Sequence, residues 1–289
     1  MNQRKIILYS SAENDTGLKV THRVKNMLEG IGRQIVLCPA FADDTDKTID
    51  TGGEKHSKIE DELASSEMII TFGGDGTILR AARVAAETGV PILGINLGGK
   101  GFMAELEAED IELLKSAVLG EYKIETRVMI DVDVIREGET ICHDFALNDI
   151  VVKGDNKVID ITIYGDNQKI TRFSGDGAVI ATPTGSTAYS MSAGGPIVDP
   201  AAKNIIITPI CAHVLEARSF VLVLGRVVTV EIGHKKNNPA YISVDGGDHI
   251  DILSGDIIKV CKSEKFTQLV RLSDKSFYRK VSEKLGERE

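Results

Sequence analysis

A change of hydrophobic period near residue 125 constrains this chain more than any other single feature. Before it, short apolar runs alternate with helical patterns. Residues 6–9 read as a strand, after which Val20, Val24, Met27, Leu28 and Ile31 recur at helical spacing, with Gly30 and Gly32 as stop signals. Residues 34–37, 68–72 and 92–95 read as further strands, and the helix behind residue 76 stops near Gly89, with Pro91 beyond it. Residues 42–58, rich in Asp, Thr and Gly, read as a mobile loop. Apolar strands alternating with amphipathic helices predict a parallel sheet covered on both faces.

After residue 125 the period becomes two. Val128, Ile130, Val132 and Val134 alternate with Met129, Asp131, Asp133 and Ile135, and Ile159, Ile161 and Ile163 alternate with Asp160, Thr162 and Tyr164. Val228, Val230 and Ile232 repeat the pattern, which predicts a mostly antiparallel β domain. The expected division is therefore an α/β domain over 1–124, a β-rich domain over 125–265, and a segment over 266–289. That last segment holds a short amphipathic helix near 276–284 and is expected to pack back on the first domain. A length of 289 residues suffices for two such domains, at about 100–200 residues each.

Within the first part, Phe72-Gly73-Gly74-Asp75-Gly76-Thr77 stands where a strand feeds a helix. Glycines there let the backbone approach a ligand closely, and a helix start offers unpaired N–H groups and a positive dipole end. Such a turn holds phosphates. Asp75 is the odd element, because a negative charge inside an anion site repels phosphate unless it faces a cation or a proton donor. A base for a hydroxyl nucleophile is the natural role, and the chemistry it points to is phosphoryl transfer to an alcohol. A plain tight strand-to-helix connection is the alternative. Neither the Walker pattern nor G-x-G-x-x-G fits the segment.

A second glycine cluster, residues 96–102 with Gly98, Gly99, Lys100, Gly101 and Phe102, follows the next strand and is expected to face the same crevice. Residues 182–196 are stranger: thirteen of fifteen are small, hydroxylic, glycine or proline, yet they lie among apolar strands. Hydroxyls and free N–H groups at that density suit a nucleoside and its phosphates, with a solvated linker as the alternative. Upstream, Asn148, Asp149 and Asp176 are polar groups flanked by apolar residues, and a carboxylate that accepts sugar hydroxyls is one way to hold ribose. His143 and His213 sit in apolar contexts and read as structural. No histidines have zinc-ligand spacing, so no protein-held metal cage is expected.

A net charge of −9 argues against nucleic-acid binding through bulk positive charge. No apolar stretch approaches the roughly 18 residues of a membrane span and no signal peptide is visible, so a cytoplasmic protein without membrane partners is expected. Cys38, Cys142, Cys211 and Cys261 are far apart, consistent with reduced thiols.

Taken together, the Gly73–Thr77 turn, the 96–102 cluster, Asn148-Asp149 and above all residues 182–196 resemble the NAD kinases, in order and through nearly the whole chain. Diacylglycerol and sphingosine kinases and phosphofructokinases carry similar glycine–aspartate turns, so the 182–196 run is the specific part. The resemblance implies a Rossmann- or phosphofructokinase-like α/β N-terminal domain, a β-rich C-terminal domain, an active site in the cleft between them, and a homodimer or homotetramer. It also implies ATP as phosphate donor, NAD as acceptor, and Mg²⁺ or another divalent metal delivered with the nucleotide phosphates. By the same resemblance Asp75 takes the proton from the adenosine 2′-hydroxyl of NAD, while Gly73, Gly74, Gly76 and Thr77 shape the phosphate-binding turn. Gly76, Arg80, Phe102, Asn148, Asp149, Asp176, Thr187, Ala188, Tyr189, Ser190, Met191, Ser192 and Cys211 match positions that contact NAD. Three positions depart from the family pattern: Lys100 replaces an apolar residue, Ser174 replaces a frequent arginine with Arg172 close by, and Gly247 lacks an amide side chain. A lipid or sugar kinase of the wider superfamily, and a non-catalytic dinucleotide sensor, are the rival readings.

Overall fold

The computed structural model describes residues 5–11, 13–39, 57–98, 101–213, 217–233, 239–273 and 277–286. Almost all of the 42–58 stretch therefore lies outside the described residues, as do Gly99, Lys100 and Ser276. Contacts group the chain into two compact units, Met1–Thr126 together with Thr267–Glu289, and Arg127–Phe266.

The first unit runs β1 (Lys5–Ser10), α1 (Lys19–Gly30), β2 (Ile35–Leu37), α2 (Ile59–Glu62), β3 (Ser66–Gly73), α3 (Asp75–Ala85), β4 (Ile92–Asn96), β5 (Leu106–Glu107) and α4 (Leu114–Val118). Four strands lie parallel in the order β4-β3-β1-β2, so the order reverses between β1 and β3. Ile6, Ile7 and Leu8 are buried in succession because side chains on both faces of β1 are covered. Val24 and Leu28 of α1 join Ile6, Leu8, Ile70 and Phe72 in one core. The start of α1 is capped from a distance, since the Asp15 carboxylate accepts the amides of Val20 at 3.0 Å and Thr21 at 2.9 Å. Helix α3 ends where the sequence marks it, with Gly89 at φ 67° donating its amide to the Ala85 carbonyl at 2.8 Å.

The second unit is built on β6 (Lys123–Arg136), β7 (Glu139–Ala146), β8 (Asp149–Gly154), β9 (Ile159–Gly165), β10 (Gln168–Gly175), β11 (Gly177–Ala181), α5 (Tyr189–Ser192), β12 (Asn204–Ile210), β13 (Phe220–Val223), β14 (Val228–Ile232), β15 (Ala240–Val244), β16 (Ile250–Ile252) and β17 (Ile257–Arg271). Strands β6 and β17 each contain a unit boundary, and α6 (Phe277–Leu285) returns to the first unit. One antiparallel sheet has the order β13-β12-β11-β8-β15-β16, and β10-β9-β14-β17 pair antiparallel as well. The period of two decides what each face does. Ile150 and Val152 of β8, Ile180 of β11 and Ile242 and Val244 of β15 point into the main core. Val151, Val179, Ala181 and Ile206 point the other way, into a smaller cluster covered by Ala193 and Val198.

The two histidines do not behave as expected. His143 has a 55% exposed side chain whose Nδ1 lies 2.7 Å from an Asp133 oxygen, and His213 is exposed. Apolar neighbours misled here because neighbours along the chain need not share a side chain's surroundings: Cys142 and Ala212 pack against the main core while the adjoining histidines are exposed.

Candidate active site

Strand β3 ends at Gly73, whose φ of 154° and crowding by the Thr77 side chain leave no room for a Cβ. Gly74 then caps α3, accepting the amides of Thr77 at 3.0 Å and Ile78 at 3.4 Å, which sets Asp75 as the first helical residue. The register Gly73↔Asn96 places the ends of β3 and β4 side by side, so the glycine loop after β4 meets the turn. Asp75 is half-buried, and its carboxylate accepts the Phe102 amide at Oδ2 (2.8 Å) and the Met103 amide at Oδ1 (3.1 Å). A Cβ at Gly101 would lie 2.9 Å from Oδ1. Two N–H bonds orient the carboxylate and still leave lone pairs for a hydroxyl. Gly76 is exposed beside it. Arg80, one turn further along α3, is exposed and bonds the buried Tyr9 hydroxyl; burial raises the Tyr9 pKa and Arg80 opposes the rise.

A cavity of about 510 Å³ in the same unit is lined by Asn14, Asn96, Gly98, Glu107, Glu109 and Lys284. Asp75 is not among its lining residues, and its two carboxylates suit phosphates poorly.

In the second unit a pocket of about 400 Å³ lies on the sheet face away from the main core. Asp149, Val151 and Lys153 of β8 line it, beside Tyr241 and Ser243 of β15 and Asp245 just beyond, all on one face by the period of two. Asn148, Ala188 and Tyr189 close one end. His249 stacks on Tyr241 at the other, with ring centroids 3.8 Å apart. The Asn148 Oδ1 is buried and has no donor within the protein. A buried acceptor without a donor is costly, so the Asn148 turn carries an unpaired polar group at a pocket-lining residue. Asp149 is 5% exposed, and burial first, then the Asp245 charge, push its pKa up to about 7, against the Tyr189 amide that lowers it.

The 182–196 run is not a solvated linker. Residues 182–186 are buried in a single turn followed by α5, and most of their hydroxyls serve the fold. Thr182 Oγ1 donates to the Leu147 carbonyl, Ser186 Oγ donates to the Val198 carbonyl and accepts its amide, and Ser190 Oγ bonds Thr208 Oγ1 at 3.0 Å. Ser190, expected at the ligand, is fully buried. The run instead wraps the Asn148 turn. A Cβ on Gly185 would fall 2.5 Å from the Asn148 carbonyl carbon and 2.8 Å from its Cα. Gly185→Ala is therefore expected to cost about 1–3 kcal/mol of stability and to weaken ligand binding, because only backbone can give way. Denaturant titration together with substrate KM checks this, and a variant unchanged in both would show that the turn yields freely.

Not every expected residue joins this pocket. Asp149 pairs with Ala181, whereas Asp176 sits five residues back along β11, roughly 15 Å away at strand spacing. Cys211 lies at that same far end, next to Gly175, with φ 45°. Met191 is half-buried and Ser192 exposed on α5, and neither lines the pocket. Thr187 gives its hydroxyl to the Thr184 carbonyl at 3.3 Å. Conversely, the sequence reading passed over Lys153, Tyr241, Ser243 and His249. Their strands carry the period that puts them on one face, but the pairing of β8 with β15 joins residues some ninety positions apart.

With this geometry in view, both halves of the chain match known families: residues 18–122 match the ATP-NAD kinase N-terminal domain, and residues 147–272 the ATP-NAD kinase C-terminal domain. The NAD kinase of Ruminiclostridium cellulolyticum is 35% identical over 99% of both chains, and that of Caldanaerobacter subterraneus subsp. tengcongensis 38% identical over 99% of this chain and 100% of its own. Among solved structures, an Archaeoglobus fulgidus NAD kinase in complex with ATP superposes with a TM-score of 0.75 at 25% identity, covering 97% of this chain and 98% of that one. The yeast NADH kinase complexed with NADH reaches 0.85 at 24% identity over 98% of this chain and 87% of its own, a likeness of fold. The class is thus a phosphotransferase built from an α/β part and a β-rich part. Within that class, the chain belongs to the NAD kinase family.

Proposed function

We propose that this enzyme moves the terminal phosphoryl group of ATP to the 2′-hydroxyl of the adenosine ribose of NAD, giving NADP, with Asp75 as the base. The hydroxyl oxygen forms the new bond to phosphorus, the bond from that phosphorus to the bridging oxygen breaks, ADP leaves, and the hydroxyl proton passes to the Asp75 carboxylate. The Phe102 and Met103 amides hold that carboxylate in place. Gly73, Gly74, Gly76 and Thr77 shape the turn at the start of α3, where N–H groups favour phosphate, and Arg80 is exposed one turn on. Asn148, Asp149, Ala188 and Tyr189 hold the adenosine half. What supports this assignment is the pocket of about 400 Å³ lined by Asn148, Asp149, Ala188 and Tyr189, beside which the buried Asn148 Oδ1 has no donor within the protein.

Among the described residues no group of three or more His, Cys, Asp and Glu side chains is placed to hold a metal ion. A divalent cation is further proposed to enter as companion of the ATP phosphates. Among the same residues no helix is long and apolar enough to cross a membrane. The enzyme is further proposed to act in the cytoplasm as a homo-oligomer. Strand β13, at the end of its sheet, supports assembly by exposing Val221 and Val223, 48% and 66% accessible.

The test is purified protein with ATP, Mg²⁺ and NAD, followed for NADP. If the adenosine half sits in the Asn148 pocket, AMP competes with NAD while nicotinamide mononucleotide competes poorly. The reverse ranking would put the other half of the dinucleotide there.

A further inference from the structure

Beyond β15 the chain turns at Asp245, a non-glycine residue with φ 49°, and its carboxylate folds back under the Asn148 turn. It accepts three consecutive amides: Leu147 at 2.7 Å on Oδ2, and Asn148 at 2.7 Å and Asp149 at 3.0 Å on Oδ1. The Asp245 amide in turn donates to the Asp149 carbonyl at 2.9 Å. Four hydrogen bonds thus fix the stretch that carries both Asn148 and Asp149, and Thr182 and Gly185 close it from the other side. Asp245 also lines the pocket, so its charge faces the same space as Asp149.

We infer that Asp245 is a positioning residue of the acceptor pocket, which sets the aim of Asn148 and Asp149 through the three amides and, through its charge, which hydrogen bond Asp149 offers the substrate. This rests on the assignment of the adenosine half to that pocket. The charged and titratable groups sharing the pocket with Asp149 are Asp245, Lys153, Tyr189, Tyr241 and His249, and of these Asp245 acts on it by charge. Lys153, Tyr241 and His249 lie at the far end, two residues along β8 past Val151. A ribose hydroxyl donates best to an ionised carboxylate. With Asp149 pushed up to about 7, KM for NAD should fall as pH rises through that value and level off above it. Asp245 opposes ionisation, so removing its charge should move this inflection to lower pH.

The experiment measures kcat and KM for NAD against pH for the whole enzyme and three variants, with folding confirmed by circular dichroism. Asp245→Asn keeps the size but turns an N–H group toward at least one of the three amides, so KM should rise about tenfold, with the loss on KM rather than on kcat. Its inflection should also shift to lower pH. Asp245→Glu keeps the charge and misplaces it, so KM should rise while the inflection stays. A purely structural brace would weaken binding in both variants without moving either inflection, and that result overturns the inference. Asp149→Asn should abolish the inflection, and this reading holds even where the Asp245 variants do not fold; an inflection that survives it also overturns the inference. If Asp149→Asn leaves KM unchanged at every pH, the pocket assignment itself fails and this inference falls with it. If Asp149→Asn raises KM but Asp245→Asn leaves the inflection in place, only the role of Asp245 fails.

Discussion

Asp75→Asn is expected to lower turnover by roughly 10²–10⁴-fold, the range that general-base assistance typically supplies, while KM for NAD changes only a fewfold. The substitution preserves shape but cannot accept the proton. It is not silent structurally, because the carboxylate also holds the loop after β4 through the Phe102 and Met103 amides. An asparagine can accept one of those two amides and must turn its own N–H₂ toward the other, so some loosening of the loop follows. Loop anchoring and base chemistry are therefore separated by Asp75→Glu, which restores a carboxylate but displaces it. If anchoring is the whole role, Asn and Glu variants should lose activity to similar, modest extents. If the base role holds, Glu should retain far more turnover than Asn. A kcat for Asp75→Asn within tenfold of the parent would remove Asp75 from the chemistry.

The parts of the fold that local pattern controls were legible. The β3 run, the helix behind it and its Gly89 stop follow from apolar spacing and one glycine, and the period of two marked Ile130, Val132 and Val134 of β6 and Ile159, Ile161 and Ile163 of β9 as core-facing. The meeting of the two glycine loops was readable too, because adjacent parallel strands end on the same side of a sheet. Residues 182–196 read as a ligand-binding run with a solvated linker as the alternative, and composition could not show that several of their hydroxyls satisfy buried backbone, as with Thr182 and Leu147. Asp245 was invisible for a different reason. Its three partners lie nearly a hundred residues upstream, and no local pattern marks a carboxylate that will receive distant amides. Asp176 was set beside Asn148 and Asp149 by the family resemblance alone, and the length of β11 separates it from them.

Glu105→Ala should destabilise the first unit by about 3 kcal/mol. The Glu105 side chain is 2% exposed and gathers the chain where it returns after β17. Its Oε1 accepts the amides of Leu272 and Ser273, both at 3.0 Å, and the Ser273 hydroxyl at 2.9 Å. Its Oε2 faces Arg271 at 3.4 Å and Lys280 of α6 at 3.7 Å. Arg271 and Lys280 also donate to the carbonyls of Met103 and Ala104, each at 2.9 Å, so both cations stay half-satisfied when Glu105 is lost. The amides of half-buried Leu272 and exposed Ser273 lose their acceptor as well, so the return segment is no longer tied to this point. Glu105→Gln keeps one acceptor oxygen and gives up the charge, so it should lose about half as much. The effect should reach function, because Met103 is both a carbonyl partner of Arg271 and an amide donor to Asp75. Denaturant midpoints for the two variants, read beside kcat, test the chain of contacts from α6 to the Asp75 carboxylate. A Glu105→Ala enzyme within 0.5 kcal/mol of the parent, about the range of a neutral surface change, would show that the return segment is held by something else.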